Sequence, residues 1–247
     1  GHASLIEYAR SAADRVVVSL FVNPTQFGPN EDLEAYPRDF ERDAALARDL
    51  GADLLYAPAP ESMYAPDHAA WVEVPALAGT LCGVSRPIHF RGVCTVVMKL
   101  FMLTLPTLAV FGEKDWQQLA IIKKMVTDLN VPVRIEGRPI VREADGLALS
   151  SRNVYLTPEE RAQAPSLRRS LLMAAELAAG GERDAAKIAE AVRTFLREQL
   201  PLGEEDYISI VDPDTLAGVE RIGQAALCAL AYRVGKARLI DNILLRP

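Results

Sequence analysis

The sequence predicts an α/β fold: a Rossmann-like parallel sheet with helices on both faces, plus a smaller C-terminal α+β domain. Three observations carry the prediction. Apolar runs of strand length at residues 15–22, 53–57, 108–111 and 133–135 alternate with helix-length segments, the pattern of strands joined by helical crossovers. From Thr157 onward the order becomes helix, helix and three strands, which suits a separate α+β unit. The two patterns meet in the polar stretch 139–153, which divides the chain into residues 1–141 and 142–247 near 141–143.

The elements follow in order. Leu5, Ile6, Ala9, Ala12 and Ala13 recur at helical spacing. The strand at 15–22 comes next, so the chain opens like an αβ unit whose leading strand is absent from the sequence. Residues 23–39, rich in Asn, Pro, Gly and acids, form a loop too long for a simple turn, and such loops often carry function. An amphipathic helix at 39–50 stops at Gly51. After the strand at 53–57 come a loop at 58–67, an extended piece at 71–74 and a polar loop at 82–92. Residues 93–105 read as a helix offering Val96, Val97, Leu100, Phe101 and Leu103 to the core, and 115–129 as another. Thr157-Pro-Glu-Glu160 is a capping box with proline at the first helical position. Its helix runs toward Gly180-Gly181 with a kink at Pro165. A further helix at 184–200 and strands at 207–211, 226–233 and 238–244 complete the chain.

Composition narrows the function. Half of the 247 residues are apolar and 24% are charged, enough for a real core. The net charge of −6 gives no general attraction to nucleic acid or an anionic membrane. Cys82, Cys94 and Cys228 are odd in number and widely spaced, which points to free thiols in a reducing, cytoplasmic setting. There is no apolar run of membrane-spanning length and no signal peptide pattern. Nor is there a dinucleotide glycine fingerprint, a Walker loop or a Cys/His zinc set.

Two polar clusters stand out. Residues 145–153, Asp-Gly-Leu-Ala-Leu-Ser-Ser-Arg-Asn, bring two hydroxyls and a guanidinium together after an extended run. Residues 112–118, Gly-Glu-Lys-Asp-Trp-Gln-Gln, put a lysine where a strand ends and a helix begins, the edge at which open α/β sheets bind ligands. Backbone N–H groups, hydroxyls and cations all favour anionic oxygens, so two such clusters can grip a polyphosphate. Arg152 is suited to phosphate by its planar fork. Asn23 and Gln26 present amides on a turn pinned by Pro24, and Gln118 can reach a small polar substrate from the first turn of its helix. His2 and His89 are the histidines in polar settings.

The residues 22–27, 32–38, 86–92, 111–118, 145–153 and 238–242 together resemble the pantoate–β-alanine ligase (pantothenate synthetase) family of the nucleotidyltransferase superfamily. The similarity covers almost the whole chain. It implies ATP-dependent condensation of pantoate with β-alanine through a pantoyl-adenylate, releasing AMP and pyrophosphate. By this resemblance His2, Gly112, Glu113, Lys114, Asp115, Val141, Leu149, Ser150, Ser151 and Arg152 would bind ATP, with His2, Lys114, Ser150, Ser151 and Arg152 serving catalysis. Gln26 would contact pantoate and β-alanine, and Gln118 pantoate. Asn23, Tyr36, Arg86 and His89 are further candidates. His2 matches the second histidine of the family's His-x-Gly-His motif; the first, a general acid in the family, does not occur in this sequence. The resemblance also implies a homodimer; for the mechanism, Mg²⁺ is expected on the phosphate oxygens with no protein metal ligands, and the C-terminal domain as a lid that shields the mixed anhydride from water. Read without it, the residues also allow another nucleotidylyltransferase, or a non-catalytic nucleotide-binding or dimerising module.

Overall fold

The computed structural model describes residues 1–29, 33–34 and 38–246. The chain forms two compact units. The first holds Gly1–Gly79, Arg86–Glu113 and Ile121–Pro139; the second holds Thr80–Ser85, Lys114–Ala120 and Ile140–Pro247.

Helices α1 (His2–Ala12) and α2 (Phe40–Asp49) frame strands β1 (Val17–Ser19) and β2 (Leu54–Tyr56). Asp39 caps α2 by accepting from Arg42 N at 3.2 Å. Short helical turns α3 (Pro60–Met63), α4 (Pro75–Ala78) and α5 (Cys82–Ser85) precede the long helix α6 (His89–Thr104). Strand β3 (Leu108–Gly112), helix α7 (Trp116–Asp128) and strand β4 (Arg134–Arg138) follow. Within the first unit β1 pairs with β2 and β3 with β4, both in parallel, as the α/β alternation predicts. Ile6, Val16 and Ala47 form one buried cluster there. The Arg138 guanidinium lies 3.9 Å from the Tyr8 ring centroid, fastening α1 to the end of β4.

The second unit is α+β. Helices α8 (Pro158–Gln163), α9 (Ser166–Ala179) and α10 (Ala185–Gln199) are followed by the antiparallel sheet β5 (Gly203–Val211), β6 (Ala226–Val234) and β7 (Ala237–Leu245), with β6 in the middle. Thr157 and Glu160 close the capping box through bonds of 2.8 and 3.3 Å. The core draws Leu167 and Leu171 from α9, Ile188, Val192 and Leu196 from α10, and Cys228 and Leu230 from the sheet. Ile188, Val192 and Leu196 are spaced by four, so they form one apolar stripe.

Several sequence expectations need correction. The strand at 15–22 shortens to Val17–Ser19. Residues 71–74 form no strand. The stretch 82–92 is not a loop: α5 occupies its start, and α6 begins at His89 rather than at 93. Gly92, the last residue of that expected loop, sits inside α6, where a missing Cβ lets the Asn23–Gln26 turn approach. Leu103, offered to the core, is 58% exposed. At Pro165 the helix is interrupted rather than kinked, giving α8 and α9. Strand β5 starts four residues early, because a bulge between Glu205 and Tyr207 breaks the alternation that defines a strand in sequence.

Candidate active site

In the first unit the polar candidates gather on the 3₁₀ turn Pro24–Gln26. Asn23 is buried and caps the turn: its Oδ1 accepts from Thr25 Oγ1 at 3.0 Å. Its Nδ2 donates to Gly92 O at 3.1 Å and to Gln26 Oε1 at 3.2 Å. The Gln26 carbonyl is 2.9 Å from His89 Nδ1 and accepts from Arg86 Nη2 at 3.4 Å. A Cβ on Gly92 would stand 2.5 Å from Thr25 O and 2.7 Å from Gln26 N, so glycine is required for this contact. Thr25 Oγ1 also lies 3.3 Å from Tyr64 Oη, and burial pushes the Tyr64 phenol up, which keeps it neutral. Asn23, Gln26, Arg86 and His89 thus form one network. Tyr36 lies outside the described residues. His2 is exposed at the start of α1, and Gly112 pairs with Arg138 at the tip of β3.

In the second unit a hairpin carries the hydroxyl cluster. Arg142 and Ala148 bridge, Leu149 N donates to Val141 O at 3.0 Å, and Gly146 takes φ +92° at the turn. Ser150 caps the 3₁₀ turn Ser151–Tyr155 by accepting from Arg152 N at 3.3 Å. Asn153 Nδ2 donates to Glu143 Oε1 at 2.9 Å and Ala148 O at 3.1 Å. Arg161 joins Glu143 and Asp145, each at 2.6 Å, and its guanidinium holds the Asp145 carboxyl below the usual range.

Lys114, half-buried in the 3₁₀ turn Glu113–Asp115, lines a small recess of about 10 Å³, room for about one water molecule, together with Leu147, Ala148, Ser150 and Asp241. Arg152 does not line it, Ser151 is exposed, and Asp115 is exposed beside Lys114. Gln118 is half-buried on α7, while its neighbour Gln117 is a structural brace: Nε2 donates to Thr80 O at 2.7 Å and Oε1 accepts from Cys82 N at 3.0 Å.

Sequence reasoning passed over Gly92, Arg142, Asp241 and Asn242 as site residues. The signal for the last two was the adjacent Asp and Asn inside the apolar run 239–245, since a carboxylate in a buried strand demands a cation. Among the described residues no group of three His, Cys, Asp or Glu could hold a metal ion, and no helix is long and apolar enough to cross a membrane.

Comparison with known proteins now identifies the family. Residues 1–244 match the family model for pantoate-beta-alanine ligase. A pantothenate synthetase of Nitratidesulfovibrio vulgaris (strain DSM 19637 / Miyazaki F) is 69% identical over 99% of this chain and 87% of its own. The crystal structure of pantothenate synthetase from Thermus thermophilus superposes with a TM-score of 0.96 at 49% identity, over 100% of this chain and 89% of that one. A pantoate-beta-alanine ligase from Francisella tularensis, complexed with beta-gamma ATP and beta-alanine, gives a TM-score of 0.79 at 33% identity, covering 99% and 84%. On the whole-chain family match and these identities, the chain belongs to the pantoate–β-alanine ligase family.

Proposed function

We infer that this chain condenses pantoate with β-alanine at the expense of ATP, and that Lys114 with Ser150 holds the phosphates. The reaction follows from family membership. The observation that supports the residue assignment is the recess in which the lysine and the serine meet. A pantoate carboxylate oxygen attacks the α-phosphorus of ATP, and the bond to pyrophosphate breaks. The β-alanine amine then attacks the acyl carbon of the pantoyl-adenylate, AMP departs, and the amine loses its proton.

Little covalent work falls to the protein, so positioning and charge stabilisation dominate. The Lys114 ammonium offsets charge growing on the departing pyrophosphate. Ser150, Ser151 and Arg152 add donors on the adjoining turn, and His2, Gly112, Glu113, Asp115, Val141 and Leu149 complete the nucleotide contacts. Gln26, braced by Asn23 and His89, offers its amide to pantoate and β-alanine, and Gln118 offers its own to pantoate. Mg²⁺ would arrive with the nucleotide, held by its phosphate oxygens. The family resemblance supports Mg²⁺ and a homodimer, and the three free cysteines support a reducing, cytoplasmic location.

Lys114→Ala tests the assignment. Pyrophosphate release that requires both pantoate and β-alanine should lose about 100-fold or more in kcat/KM, the cost of removing one preorganised donor. A loss below about threefold would take Lys114 out of the active site.

A further inference from the structure

The second unit contains a buried ion pair that the reaction does not use. Asp241 in β7 is 4% exposed and receives both arms of Arg142: Nη1 to Oδ2 at 2.7 Å and Nη2 to Oδ1 at 2.8 Å. Removing a carboxylate and a guanidinium from water costs several kcal/mol per ion, so such a pair is weak evidence for stability alone. Its connections reach further than the pair. Arg142 Nη1 also donates to Gly146 O at 3.0 Å, closing the turn of the hairpin that leads to Ser150. Asp241 Oδ1 accepts from Asn242 N at 2.8 Å, and Asn242 Nδ2 donates to Lys114 O at 3.1 Å. Asp241 itself lines the recess with Lys114 and Ser150.

We propose that Asp241 is a positioning residue: through Arg142 it fixes the Ser150 hairpin, and through Asn242 it fixes the backbone of Lys114, so one β7 dipeptide sets the spacing of the two phosphate-binding groups. Three segments far apart in sequence are thereby referred to a single rigid strand. A flexible connection would let the lysine and the serine drift, and a misplacement near 1 Å is enough to cost about 100-fold in rate. Arg168 answers to the same carboxylate. Burial and the Arg142 charge weaken its hold on a proton, and Asp241 opposes that. The carboxylate therefore offsets two cations packed behind the hairpin.

The proposal rests on the phosphate-binding role of Lys114 and is tested by ATP affinity, so it does not depend on turnover. Arg142→Met combined with Asp241→Asn removes both charges and keeps an acceptor for Asn242 N. Replacing both members of a buried pair is often close to neutral for stability, so the thermal midpoint should stay near the parent's. Calorimetry with a non-hydrolysable ATP analogue should show affinity lower by about 10–100-fold. Arg142→Lys and Asn242→Ala, which keep the charge balance, should each weaken binding and serve if the double variant does not fold. Unchanged affinity in folded variants, when Lys114→Ala does weaken binding, overturns the positioning role alone. If Lys114→Ala leaves affinity unchanged, or the parent binds no analogue, the functional reading falls and this proposal with it.

Discussion

The Gln26 turn of the first unit and the Ser150 hairpin of the second both present polar groups, but different forces hold them. The turn is held by neutral hydrogen bonds and close packing: Asn23 ties it to Gly92 O, and the bare Cα of Gly92 lets it settle on α6. The hairpin is held by charge: Arg142 to Asp241 underneath, and Arg161 to Glu143 and Asp145 at its rim. The difference matches the ligands proposed for each. A turn that offers amides to small hydroxyl and carboxylate groups needs fixed shape. A hairpin beside polyphosphate needs its local cations neutralised by fixed carboxylates, so that they neither repel Lys114 nor wander toward the ligand. The contrast teaches that the first unit should respond to sterics and the second to pH and salt.

The largest effect should come from attacking shape. Gly92→Ala drives a Cβ into the backbone of Thr25 and Gln26, which cannot yield as a side chain tip would. Stability should fall toward the upper end of the roughly 1–3 kcal/mol typical of overpacking, and the KM for pantoate should rise with it. Denaturant melts at low and high salt should show the same loss. A salt-dependent loss would break the comparison.

A smaller effect should follow from attacking charge at the rim. Arg161→Ala removes two partly exposed ion pairs, together worth about 0.2–1 kcal/mol after solvent screening. Because the Asp145 carboxyl is held below its ordinary 3.8, its contribution is present above about pH 4 and lost as pH falls through the lowered value. The stability gap between parent and Arg161→Ala should therefore be full at neutral pH, close in acid, and narrow in high salt. A gap that is constant from neutral pH to below pH 3.8 would show that Arg161 acts by packing.

Much of the architecture was legible in the sequence because it is local. Alternating apolar runs gave the parallel pairs, and the Thr157 box gave the start of α8. What escaped was set by partners distant in the chain. Gly92 reads as a loop residue until Thr25, 67 positions earlier, is seen to need the space. Arg142 and Asp241 are separated by 99 positions, so no periodicity or spacing rule couples them. The candidate groups themselves, Lys114 and Ser150, were visible as residue types beside strand ends. The buried pair beneath them was not, although a carboxylate in an apolar strand was a sign that something must answer it.

The central strand β6 has one more consequence. It is flanked by β5 and β7 along its length, and Arg233 is its one exposed residue. Its amide hydrogens can meet solvent only when the second unit opens as a whole. In heavy water these protons should be the last to be replaced, which makes β6 an internal clock: exchange at residues 142–149 running ahead of it would time the loosening of the hairpin separately from the melting of the unit that carries it.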